Sequence, residues 1–324
     1  MPMFDTVAAR QEGGPFSPKD ASRNTWETRS REFTDPKTMA RRVSVIQLLS
    51  RPEARIVISG QGEVLVIESS LPKLIYRNNL QSLFNAAPAL ELLNEFVSDH
   101  VDGPIPDLSE MPFSRADYAH NFDVGAFLPD YVDSLSRVPF LKNRARINEY
   151  NGVEWWGKNG RRVRAYDKHQ EMLEKGRTEV PEARGKLRFE VEIRSKSGFL
   201  QRRLKKKRPT LSDVLVPERA YVTLAETLNK MSLDHRFLPL DEARQILDAS
   251  FSPRTATTLL GLLQRLRSQK VEEVRAILPI STFYRNLRKL REVELYPRAV
   301  GDRELPPLRL PKFEEILAAS ELSS

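Results

Sequence analysis

The sequence predicts an α+β chain, with a mainly antiparallel N-terminal sheet carrying packed helices and then a smaller, mostly helical C-terminal domain. Three observations carry this. Alternating, β-branched runs recur as far as Ile193, Asn159-Gly160 sits between two of them as a strong short hairpin signal, and beyond Pro217 apolar residues recur only at helical spacing.

Phe4 to Arg10 reads as a short opening strand, and residues 11–41, rich in Gly, Pro, Ser and Thr, predict a long surface loop. Arg42 to Leu49 and Arg55 to Glu68 read as strands, the second folded back at Ser59-Gly60-Gln61-Gly62. Leu90, Leu93, Phe96 and Val97 mark a helix over Pro88 to Val97. A second unit follows: a strand over Phe113 to His120, a helix near Val124 to Val138, and a hairpin of Gly152–Gly157 with Arg161–Lys168. In the last strand Leu187, Phe189, Val191 and Ile193 alternate with Arg188, Glu190, Glu192 and Arg194. A boundary between Lys205 and Pro217 divides the chain into 1–210 and 211–324. In the second part Ser252-Pro253 is an N-cap and N1 pair, and Val271–Leu278 and Thr282–Val293 read as helices joined by a turn, with Ser281 as cap. Pro306 to Pro311 breaks structure before a last helix over Lys312 to Leu322.

The chain has 324 residues, 40% of them hydrophobic, enough for packed cores and for about two domains. It contains no cysteine, which excludes a disulfide framework, a zinc–thiolate site and a thiol nucleophile. No stretch approaches the ~18 uninterrupted apolar residues of a membrane span, and the N-terminus lacks the pattern of a secretory leader. A soluble, cytoplasmic protein is therefore expected. The net charge of +8 is unevenly placed: residues 184–208 carry +9, residues 254–298 carry +6, and the remainder is acidic. Two basic zones on an acidic background favour nucleic acid as partner.

A two-residue turn at Asn159-Gly160 would set Trp155 opposite Arg164 and Val153 opposite Tyr166, lining up Arg162, Arg164, Tyr166 and Lys168 on one face with Trp155. Positive charge around a phenol favours its phenolate, and the same cations can hold a phosphate against it. An ordinary strand tyrosine beneath solvated arginines fits the hairpin equally. The carboxylates Asp117, Glu190 and Glu192 are likewise open to two readings, a salt-bridged strand face with Arg115, Arg188 and Arg194 or a hard-cation site of Mg²⁺ or Mn²⁺ type. No two histidines are separated by one residue, and His169 stands alone near Tyr166.

Ser114-Arg115-Ala116-Asp117, Val163-Arg164-Ala165-Tyr166-Asp167-Lys168-His169 and Gly185-Lys186-Leu187-Arg188-Phe189-Glu190-Val191-Glu192-Ile193-Arg194 follow one another in the order and rough spacing of three short motifs. In these the chain resembles the filamentous-phage gene II/X replication initiator family. Weaker similarity runs through Leu65 to Lys73 and Ser281 to Arg285, so the resemblance covers most of the chain. It implies a site-specific nicking and rejoining enzyme that starts rolling-circle replication of a circular single-stranded phage or plasmid genome. On that resemblance Tyr166 is the nucleophile, Lys168 its cationic neighbour, Asp117 and Glu190 the metal carboxylates, and Glu68 and Glu192 further members of that shell. It also implies Mg²⁺ or Mn²⁺ as cofactor, origin DNA as partner in double-stranded and displaced single-stranded form, and the helicase and polymerase of a bacterial host.

The chemistry is coherent. Attack by tyrosine keeps the 5′-phosphate on the protein, so the bond energy is held for resealing by a 3′-hydroxyl, which a hydrolase would forgo. Helices 271–278 and 282–293 resemble a helix-turn-helix with Arg285, Arg288 and Lys289 on the second helix, or are an ordinary basic pair in a bundle. Arg202, Arg203, Lys205, Lys206, Lys207 and Arg208 form a stretch expected to track phosphates. The competing class is a DNA-binding regulator or replication accessory protein without chemistry.

Overall fold

The computed structural model describes residues 3–19, 26–34, 41–52, 54–81, 83–136, 145–148, 150, 152–157, 161–176, 180–231, 233, 238–269, 271–295 and 305–321. The chain is α+β. Its strands are β1 (Met3–Glu12), β2 (Ser17–Pro18), β3 (Glu27–Thr34), β4 (Arg41–Ser50), β5 (Ala54–Ser59), β6 (Val64–Ser70), β7 (Val101–Asp102), β8 (Phe113–Asp123), β9 (Ala145–Asn148), β10 (Gly152–Trp156), β11 (Arg161–Asp167) and β12 (Lys186–Arg194). Ten of them form one sheet in the order β3-β4-β5-β6-β1-β8-β12-β11-β10-β9, and β2 pairs with β7 apart from it. Two compact units are present, residues 2–119 with 192–221 and residues 120–191 with 222–324.

In the unit of residues 2–119 and 192–221, β5 and β6 alternate buried and less buried side chains, as strands covered on one face do. Their turn holds Gly60, Gln61 and Gly62 at φ of 64°, 57° and 94°, a left-handed path that two glycines make accessible. Helix α1 (Leu71–Tyr76) packs on β1 and on α2 (Ala87–His100), which buries Ala89, Leu90, Leu93 and Val97 as its apolar spacing predicts. β1 pairs with β8 through two register shifts, one spanning Phe4 to Val7 and one at Ala8–Ala9. The loop expected over 11–41 is corrected in part, because β3 pairs with β4 from Glu27↔Leu48 to Thr34↔Arg41. Its sequence is charged and lacks apolar alternation, the pattern of an edge strand held by its backbone.

In the other unit, α3 (Leu128–Ser136) packs over β9, β10 and β11, and α4 (Lys168–Glu174) follows β11 directly. The basic stretch of the first unit lies on and after α5 (Phe199–Leu204), before α6 (Leu211–Val214), and α7 (Pro217–Lys230) opens the helical part. There α8 (Leu240–Ser250), α9 (Pro253–Ser268), α10 (Val271–Ile277) and α11 (Ile280–Glu292) bury a common core of Leu247, Leu259, Leu263, Phe283, Leu287 and Leu290 around α9. Ser252 precedes α9 as expected, whereas α11 starts after Pro279, so that Ser281 lies inside the helix rather than capping it. The last helix, α12 (Phe313–Glu321), follows the proline-rich segment. Among the described residues no helix is long and apolar enough to cross a membrane.

Phe283 is completely buried in this helical core. Phe283→Ala should therefore lower unfolding stability by about 3–5 kcal/mol, measured by denaturant titration.

Candidate active site

The hairpin register differs from the expected one by a single residue. Val153 pairs with Ala165, Glu154 with Arg164, Trp155 with Val163 and Trp156 with Arg162. The Asn159-Gly160 turn lies outside the described residues, but Gly157 N donates to Arg161 O at 2.6 Å, which leaves three residues between the paired ends instead of two. A slip by one exchanges strand faces. Trp155 is accordingly buried beside Val163, and Trp156 stands on the polar face, where the Arg162 guanidinium lies 4.4 Å from its ring centroid. Lys168 also leaves the expected row, because Asp167 accepts from the His169 and Gln170 amides and caps α4.

Tyr166 ends the polar face of β11 and is 4% exposed. Its hydroxyl donates to Glu190 Oε2 at 3.1 Å, Arg164 bonds Glu190 Oε1, and Arg188 Nε stands 3.5 Å from Oε2. Arg188, wholly buried, also donates to Asn121 at 3.2 Å. The Tyr166 ring packs on Tyr150 with centroids 5.8 Å apart. On its backbone side Gly152 is obligatory, since a Cβ there would lie 2.3 Å from Tyr166 Cβ and 2.6 Å from Ala165 O. The phenol is thus hydrogen-bonded to a carboxylate that two guanidinium groups also engage.

A second group of charges surrounds Arg115. It donates through Nε to Asp117 Oδ1 at 2.9 Å and through Nη1 to Glu68 at 2.7 Å, and its Nη2 stands 3.5 Å from Glu192. Burial works against the Arg115 charge, but Asp117, Glu192 and Glu68 outweigh it and raise its pKa. Glu192 also accepts from Arg194 Nε at 2.6 Å. On the alternating Arg and Glu face of β12, Arg188, Glu190 and Glu192 are each at most 1% exposed and are ion-paired, as in the salt-bridged reading, but away from solvent.

Asp5 was not singled out by sequence. It lies in the first register shift of β1, is 5% exposed, and accepts from Ser70 at 3.3 Å and Asn79 at 3.4 Å. Within the unit of residues 2–119 and 192–221, one carboxylate oxygen of Asp5 and one of Asp117 lie within 4.8 Å of each other. Carboxylate oxygens suit Mg²⁺ or Mn²⁺, so Asp5 is a possible further ligand beside Asp117. Glu68 and Glu192 are engaged by arginines, as Asp117 and Glu190 also are. The one available signal for Asp5 was a lone charge within the otherwise uncharged run Phe4–Ala9.

Lys168 is fully buried and donates to Glu171 at 2.5 Å, and Lys175 bonds the other Glu171 oxygen. Burial pushes the Glu171 carboxyl up, but the charges of Lys168 and Lys175 prevail and hold it at about 2. Of the other basic candidates, Arg162 pairs with Glu154 and Lys206 with Asp213, whereas Arg202, Arg203, Lys205, Lys207 and Arg208 are exposed. On α11, Arg285 and Arg288 are exposed opposite buried Phe283, Leu287 and Leu290, and Lys289 lies 5.7 Å from the Phe251 ring centroid.

Two outcomes follow from this geometry. Gly152→Ala should displace Tyr166 and cost about 1–3 kcal/mol of stability, read by thermal unfolding together with the loss of any Tyr166 chemistry. Because the Glu171 pKa is lowered on folding, its stabilisation is present above pH 4.5, the ordinary value, and is lost as pH falls toward 2; acid titration of Glu171→Gln should lack that component. Compared with known proteins, the chain matches no family model and no curated protein.

Proposed function

We propose that this protein is a replication initiator that nicks and rejoins one strand of origin DNA through a covalent 5′-phosphotyrosyl intermediate. The observation that carries the reading is the hydrogen bond from Tyr166 to Glu190, set among Arg164 and Arg188. Glu190 is positioned to take the phenolic proton as Tyr166 Oη attacks phosphorus. The new Oη–P bond replaces the P–O3′ bond, and the leaving 3′-oxygen takes up a proton to become a hydroxyl. Arg164 and Arg188 bring positive charge to where the phosphate oxygens become more negative. The divalent cation that the resemblance implies would supply further stabilisation of that charge. The resemblance in the three motifs supports the same assignment, and the exposed basic face of α11 is suited to the duplex flanking the nick. The reading places the protein in the cytoplasm of a bacterial host, handing the nicked origin to the helicase and polymerase there.

A second reading, a DNA-binding regulator or replication accessory protein without chemistry, is favoured by the burial of Tyr166 at 4% exposure. Covalent chemistry separates the two. With supercoiled origin DNA and Mg²⁺ or Mn²⁺, wild type should yield a nicked circle and a denaturation-resistant adduct. Tyr166→Phe should abolish both, and Glu190→Gln should slow adduct formation by about 10²–10⁴. Adduct formation by Tyr166→Phe would overturn the nucleophile, and failure of wild type to form any adduct would favour the second reading.

A further inference from the structure

In the unit of residues 2–119 and 192–221, the end of β1, the start of β8 and the segment from Ser195 to Pro209 enclose a cleft of about 370 Å³. Its charged lining is Arg10, Lys196, Lys207 and Arg208 against Glu12 alone, and Glu12 is already paired with Arg10 at 3.0 Å. Among the described residues no carboxylate pairs with Lys196, Lys207 or Arg208, in contrast to the strand residues Arg115, Arg162, Arg164, Arg188 and Arg194, which are all neutralised by Glu or Asp. Ser114 and Ser195 add hydroxyl groups to the same lining. The walls are fixed by backbone bonds: Arg10 N donates to Pro112 O at 2.9 Å and Phe113 N to Pro209 O at 3.0 Å, and Pro112 bridges to Thr210. The Gln201 side chain donates to Ser195 O at 2.5 Å and ties α5 to the turn before it.

We propose that this cleft holds the phosphodiester backbone of a DNA single strand, gripping about one nucleotide at its deepest point. Cations with no carboxylate partner, carried on backbone fixed by these bonds, attract phosphate. The volume suits a single small group rather than a paired duplex, and hydroxyl donors beside cations suit non-bridging phosphate oxygens. The choice of DNA rests on the proposed function, and the cleft extends that function to a hold on the strand by residues outside the Tyr166 group. Arg10 and Lys196 are absent from the basic stretch that the sequence singles out. Lys205 and Lys206 belong to that stretch, but neither lines the cleft, and Lys206 is bonded to Asp213 at 2.6 Å.

Two charge-matched pairs test the proposal. Binding of a labelled single strand lacking any origin sequence is followed by fluorescence anisotropy across a salt series, for wild type, K207Q/R208Q and K205Q/K206Q. The pair K207Q/R208Q should weaken binding about tenfold near 0.1 M salt and flatten the slope of log affinity against log salt by about 1.4, two phosphate contacts on a single strand. K205Q/K206Q should change the slope by less than half as much. Equal losses in the two pairs, or none in the first, overturn the proposal. So does an equal loss by K207Q/R208Q on a blunt duplex, or complete displacement of the strand by millimolar pyrophosphate, which would assign the cleft to a free phosphate ligand. The readout is equilibrium binding without an origin, so its result stands apart from whether Tyr166 forms an adduct.

Discussion

Ionised side chains buried in the middle of a sheet set the terms for this structure. Each of Arg188, Glu190 and Glu192 would lose several kcal/mol of hydration if buried alone, and each is tolerated because an opposite charge is within reach. β12 could not sit between β8 and β11 with these residues unless both neighbours offered partners, and β11 does so through Arg164 and Tyr166. Strand order, hairpin register and the bond made by the phenol are therefore coupled. A slip of β11 by one residue would carry Arg164 to the other face and strip Glu190 of a cation.

Such networks are a poor route to stability, because well-packed apolar side chains of the same volume commonly do as well or better. The proposed nicking reaction, which moves a proton and gathers charge on phosphate, would be one use for them. The arginines of the chain consequently fall into two groups with different physics. Arg115, Arg164 and Arg188 are spent on neighbouring carboxylates, so their field at a distance is small, whereas the cations around Lys207 and Arg208 act on the solvent side. The local charge of +9 over residues 184–208 thus overstates what β12 offers to a polyanion and describes the segment after it well.

Much of the fold was legible from period alone. β5, β6, α2 and β12 announce themselves because burial on a face imposes a repeat of two or 3.6 on the apolar residues. β3 did not, since an edge strand needs only its backbone, and its charges are those that discourage further pairing. The hairpin was found but mis-registered, because Asn159-Gly160 suggests a two-residue turn while the burial of Trp155 beside Val163 decides the register. Among the candidate carboxylates, Asp117 and Glu190 carried sequence signals through their motifs. Asp5 carried almost none, as its place depends on a register shift in β1 that no local pattern records. The burial of the Arg and Glu residues of β12 was not legible, because alternation of Arg with Glu is the same whether water or protein lies above it.

The junction at Tyr166 has a consequence for how this chain can vary. Asp167 closes the strand and opens a helix in one residue, while Gly152 presses against Tyr166 from the neighbouring strand. The tyrosine is pinned at both its backbone and its sequence neighbour, with no slack in which an extra residue could be absorbed. Insertions and deletions should thus be purged from the stretch between Arg161 and Asp167 and collect elsewhere. Among diverged copies of this protein, the segment from the hairpin to the helix should keep constant length even after most of its side chains have changed.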